Sequence, residues 1–176
     1  PPPNYPLRRQ RQMCIRDRNS AVAPDGTTTA DTLAGNGDDE NGSNTNKAIW
    51  RDGVYTNVNT TYVLSIHAKP KDSNFLNISV RADGSNTAAA IFNVGTGAVV
   101  HTKTFGTGMT ATASIVSAGN GWYRCIIVVG VNSANSNRRV MVGTSSGNAS
   151  DLTNFGYSSY QNGDSDSVYI WGIQLE

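Results

Sequence analysis

Between Tyr62 and Lys69 the side chains alternate in character: Tyr62, Leu64, Ile66 and Ala68 fall on one side of an extended backbone, Ser65, His67 and Lys69 on the other. A period of two belongs to a strand with one buried face and one wet face. It cannot be laid on a helix, whose faces recur about every 3.6 residues. Leu76, Ile78 and Val80 alternate in the same way with Asn77, Ser79 and Arg81. Pro70 and the run Lys71 to Asn74 separate the two segments, so the spacing predicts a hairpin.

No stretch shows helical periodicity. Further strands are expected over 27–33, 47–51, 90–94, 98–102, 112–117, 122–131, 139–143 and 167–175, with turn signals such as Asp83-Gly84 and Gly95-Thr96-Gly97 between them. The segment Trp122 to Val131 is continuously apolar enough to predict a central strand buried on both faces. Ala34 to Ser43, rich in Gly, Asn and Asp, reads as a mobile surface loop. About nine short strands at this spacing predict an all-β fold, a two-sheet antiparallel β-sandwich of the jelly-roll type. At 176 residues the chain suits one domain with a full core. The longest apolar run, Cys125 to Val129, is far short of the roughly 18 residues of a spanning helix, so no membrane insertion is expected.

Residues 1–18 stand apart. Met13-Cys14-Ile15-Arg16-Asp17-Arg18 resembles the translation of a transposon-adapter end used in sequencing libraries. On that reading 1–18 is a disordered scar, 19–176 is a single β-sandwich module, and the sequence is a fragment lacking its first strand. The alternative is a basic arm built on Arg8, Arg9, Arg11, Arg16 and Arg18. Taking those five arginines and Asp17 away from 14 basic and 13 acidic residues leaves 9 and 12, a net charge of −3. A mildly acidic domain without a Lys/Arg cluster has no electrostatic footprint for nucleic acid. Cys125 is then a lone cysteine, and no disulfide is expected.

Enzymatic readings lack parts. Gly143-Thr144-Ser145-Ser146-Gly147 satisfies the G-x-S-x-G pattern, but no helix follows it, and both histidines, His67 and His101, precede the serine they would have to follow. The acids fall mostly in turns, with no sign of the convergent pair that glycoside cleavage needs. The chain is therefore expected not to be an enzyme. One cofactor remains open, a structural calcium ion: Asn162, Asp164 and Asp166 place oxygen ligands at alternate positions, although Ser167 stands where a calcium loop turns on glycine. The other reading of that segment is a solvated hairpin loop.

Four strings are more specific than any propensity. Gly119-Asn120-Gly121-Trp122-Tyr123-Arg124-Cys125 and Val168 to Glu176 resemble the GNGWYRC and YIWGAQLE signatures of a module found in tail-fibre and other structural proteins of bacteriophages. Ala23 to Asp31 and Tyr62 to Lys69 match its APDGTTTAD and YTFSVYAK segments in the same order. Ile173 stands where the module usually has Ala, and the strand that precedes its APDG segment is missing here. The resemblance implies a lectin-like, carbohydrate-binding-type jelly roll without catalysis, located on the virion and acting outside the cell. Its implied partners are host cell-surface glycan and other virion subunits, with a homotrimer as one arrangement. The runner-up is a purely structural or trimerising virion sandwich with no small ligand.

Sugar recognition needs an exposed ring to stack on pyranose C–H faces and planar hydrogen-bonding groups beside it. His67, Asn77, Arg81 and Arg124 occupy polar sides of their strands, and Trp50, Tyr55 and Tyr160 flank loops. If His67 and Arg81 share a sheet, that face is where a ligand would sit. The alternative is an ordinary hydrated sheet surface. Trp171 shares a face with Tyr169, Ile173 and Leu175 and is expected in the core, with Gly172 allowing close backbone approach.

Overall fold

The computed structural model describes residues 15–34, 48–53, 58–132, 138–154, 156 and 166–176, with the backbone alone for 15–17. Eleven strands follow in order: β1 (Ile15–Ala21), β2 (Ala30–Ala34), β3 (Ala48–Asp52), β4 (Thr60–Pro70), β5 (Phe75–Arg81), β6 (Thr87–Asn93), β7 (Ala98–Phe105), β8 (Met109–Gly119), β9 (Trp122–Val131), β10 (Arg139–Thr144) and β11 (Ser167–Leu175). They form a six-stranded sheet, β1-β2-β11-β4-β9-β8, and a five-stranded sheet, β3-β10-β5-β6-β7. Every pairing is antiparallel.

Without β1, β7 and β8 the two sheets read β2-β11-β4-β9 and β3-β10-β5-β6. The chain hands over between sheets at β2–β3, β3–β4, β4–β5, β7–β8, β9–β10 and β10–β11, and that interleaving makes the sandwich a jelly roll. The core is the layer between them. Leu64, Ile66 and Ala68 of β4 and Cys125, Ile127 and Val129 of β9 lie in one cluster with Ile78 and Val80 of β5 and Phe92 of β6. These are the apolar halves of the alternating segments, as the period of two requires.

The structure corrects three expectations. β4 and β5 are not a hairpin but belong to opposite sheets, and the connection after Pro70 crosses the end of the sandwich. Asp72 and Ser73 donate their N–H groups to the Ser167 carbonyl at 3.0 and 2.9 Å, which ties this crossing to the start of β11. Two amphipathic strands joined by a short turn can bury their apolar faces side by side or against each other, and alternation fits both. β9 lies second from a sheet edge and is buried on one face only; Arg124, Ile126, Val128 and Gly130 on the other are half-buried.

The third correction concerns the N-terminal boundary. β1 starts at Ile15, so residues 15–18 are strand rather than disordered, paired from Ile15–Leu33 to Ala21–Ala30. β2 would otherwise present unpaired N–H and C=O groups, and the preceding chain occupies them. Residues 1–14 lie outside the described residues, as does the polar loop expected at 34–43 from residue 35 onward.

Candidate functional site

The outward side chains of β5 are not at the surface. Asn77 and Arg81 are buried, 1% and 7% exposed, because the connection after β10 folds across the outer face of the five-stranded sheet. Leu152 packs there against Ala89 and Ile91. The Ser79 hydroxyl donates to the Gly156 carbonyl and the Thr87 hydroxyl to that of Asn154. Arg81 donates through Nε to the Asp83 carbonyl at 2.8 Å. Alternation placed Asn77 and Arg81 correctly on the side away from the core, but it cannot show that a polar connection returns to cover them. His67 and Arg81 accordingly lie in opposite sheets.

The G-x-S-x-G segment anchors this strap. Asp151, 6% exposed, accepts from the hydroxyls of Ser145 and Ser146 at 2.7 and 2.8 Å and from the Ser146 N–H at 2.7 Å. The serine hydroxyls thus donate to a carboxylate a few residues further along the chain, an arrangement that ties the loop down.

The outer face of the six-stranded sheet is open, and here the four signature-like segments converge. Across β11, β4 and β9 the register aligns Trp171, His67 and Arg124 in one row, with Gln174, Ser65 and Ile126 in the next. Arg124 donates to the Ser65 hydroxyl through Nε at 3.3 Å and Nη2 at 3.0 Å, and through Nη2 to Gln174 Oε1 at 3.4 Å. The His67 and Trp171 rings are 5.4 Å apart and tilted by 59°. Lys69 donates to the Asn120 carbonyl at 2.9 Å. The His67 imidazole is held below its ordinary 6.5 by partial burial and, secondarily, by the charge of Arg124, so the face presents a neutral imidazole beside a fixed cation near neutral pH.

Trp171 is not in the main core, contrary to the expectation from its spacing. Val168 and Ile170 take the core positions of β11, and Trp171 points the other way. It is half-buried in a satellite cluster with Trp122, Ala23 and Ala30, and its indole N–H donates to the Thr29 hydroxyl at 3.1 Å. The register then shifts between Trp171 and Gln174, where Gly172 has a φ of +62°. That bulge reverses the alternation, sends Leu175 back to the core and leaves Gln174 beside Arg124. Gln174 escaped the sequence reading for this reason; the glycine inside a strand pattern was the available signal.

Trp50, on β3, is 48% exposed and sits under the Arg139 guanidinium at 5.3 Å, with Arg139 paired to Asp52. It lies in the other sheet, away from the His67 row. Near it, a cleft of about 330 Å³ opens between the sheets, lined by Ile49, Trp50, Arg51, Leu64, Val140, Val142, Ile173 and Leu175. Tyr55, Tyr160, Asn162 and Asp164 lie outside the described residues. Asp166 is half-buried, and its Oδ2 has no hydrogen-bond partner among the described residues. Among the described residues no three His, Cys, Asp or Glu side chains cluster as metal ligands would. No family model matches the chain, and no curated protein sequence matches it.

Proposed function

We propose that the domain is a non-catalytic, carbohydrate-binding-type module of a phage tail or virion structural protein, and that it contacts host-surface glycan through the open face of its six-stranded sheet. The observation that carries this reading is the Trp171–His67–Arg124 row, with Ser65 and Gln174 holding the guanidinium in place. An indole offers a flat apolar surface to pyranose C–H groups, and imidazole, guanidinium and carboxamide supply hydrogen bonds at fixed angles beside it. None of these five side chains is a carboxylate, whereas the usual routes of glycoside cleavage need two.

The test is a glycan array probed with the purified chain and with Trp171→Ala and Arg124→Gln. Binding to at least one glycan class is expected, reduced about tenfold or more in each variant, since a lost stacking or charge-assisted contact is worth roughly 1.5 kcal/mol or more. Absence of binding across the array, or equal binding by both variants, would remove this reading.

A further inference from the structure

Elsewhere on the molecule a cation meets an acid: Arg139 pairs with Asp52 and Lys71 lies beside Asp72. Arg124 and Lys69, both half-buried on the open face, have no carboxylate partner among the described residues. The Arg124 guanidinium is held by two neutral acceptors, the Ser65 hydroxyl and Gln174 Oε1, which take bonds from Nε and Nη2 and leave its charge uncancelled. A guanidinium carries five N–H donors. The two on Nη1 meet no acceptor among the described residues. Lys69 gives one hydrogen bond, to the Asn120 carbonyl, and an ammonium has three to give.

The two cations are close. Arg124 stands opposite His67, and Lys69 follows His67 by two residues on the same side of β4, so they are diagonal neighbours with backbones about 7–8 Å apart. Described acids lie off this ground. Asp31 shares a side of β2 with Leu33 of the core, and its carboxylate accepts from the Asn19 N–H. Glu176 exchanges backbone hydrogen bonds with Val63, four residues and about 13 Å from His67 along β4. The imidazole of His67 is kept from protonation first by burial and second by the Arg124 charge, in keeping with a cation that no acid neutralises.

Resting on the reading of this face as the glycan site, we infer that the glycan it selects is acidic: a sugar bearing a carboxylate, sulfate or phosphate that takes the free Nη1 donors of Arg124 and comes within reach of Lys69, while its ring lies on Trp171. β11 and β9, which carry the indole and the guanidinium, are two strand spacings apart, about 9.5 Å, a gap that one hexose with a charged substituent bridges. A neutral glycan laid here would strip water from an unpaired charge, which is costly. An anion pairs with that charge, and charge-assisted hydrogen bonds are about twice as strong as neutral ones.

The experiment sets acidic glycans beside matched neutral forms on one array: uronic-acid and sialic-acid oligosaccharides with their methyl esters, and phosphorylated and sulfated sugars with the unmodified sugars. In at least one pair the acid is expected to bind about tenfold or more tightly than its neutral form, and the pairs in which it does so tell a carboxylate from a phosphate or sulfate. Arg124→Gln should bring that ratio close to one, whereas Trp171→Ala should weaken both members alike and keep the ratio. Salt gives a readout on the parent chain that needs no variant: raising NaCl from about 50 to about 500 mM should weaken the acid several-fold and leave the neutral form nearly unchanged. Neutral forms that bind as well as the acids would overturn the acidic preference while leaving the glycan site standing; binding to no glycan would remove both. A preference that survives Arg124→Gln, or equal salt dependence of acid and neutral form, would also overturn it.

Discussion

Replacing Trp122 by alanine tests the satellite cluster that supports the open face. The side chain is 1% exposed, packed with Ala23 and Ala30 on the outer side of the six-stranded sheet, and its indole N–H donates to the Val22 carbonyl at 3.1 Å. Removing a buried Trp leaves a cavity and costs about 3–5 kcal/mol. The hydrogen bond adds little, about 1 kcal/mol, because Val22 is 57% exposed and water can reach its carbonyl. Against a total stability of about 5–15 kcal/mol for a domain of this kind, Trp122→Ala therefore removes a large share. Trp122→Phe, which keeps most of the packing and loses the donor, should cost about 1–2 kcal/mol. Urea unfolding followed by far-ultraviolet circular dichroism measures both, with the slope unchanged because the same main core is exposed on unfolding. A loss below about 1.5 kcal/mol for Trp122→Ala, or equal losses for the two variants, would refute the cavity reasoning.

Two further outcomes follow from the same geometry. Asp151→Ala removes the buried acceptor of three hydrogen bonds and should cost about 2–4 kcal/mol, whereas Ser146→Ala, which leaves the Ser145 contact in place, should cost about 1 kcal/mol; urea midpoints compare them. The lowered imidazole of His67 means that the unfolded chain takes up a proton on acidification before the folded chain does. Its stabilising contribution is complete above pH 6.5 and is lost as pH falls through the folded value, so the thermal midpoint should drop more steeply below pH 6.5 in the parent than in His67→Gln. Identical profiles would show that His67 does not carry the effect.

Placing side chains on a sheet face from the sequence worked where local alternation was the only geometry needed. His67 and Arg124 stand on the outward side of β4 and β9, as their spacing implied, because nothing interrupts the pleat between Tyr62 and Lys69 or between Trp122 and Val131. It failed where another segment intervened. Asn77 and Arg81 have the same outward orientation but lie beneath the strap that carries Gly156, and no periodicity in β5 encodes what covers it. Trp171 was placed by counting twos across Gly172, and a bulge invalidates that count.

The sequence by itself determined that this chain is built of short antiparallel strands in two layers, since a period of two with turn residues between runs leaves no other way to bury Leu64, Ile66, Ile78 and Val80 together. Tertiary structure alone decided which strands are neighbours. β4 and β5 face each other across the core instead of pairing, and β11 is inserted between β2 and β4. Strand hydrogen bonds run between backbone groups that every residue carries, so side-chain alternation fixes which face is buried without specifying the partner. That choice rests on the packing of the whole core, and it is what brings Trp171, His67 and Arg124, distant in the chain, into one row.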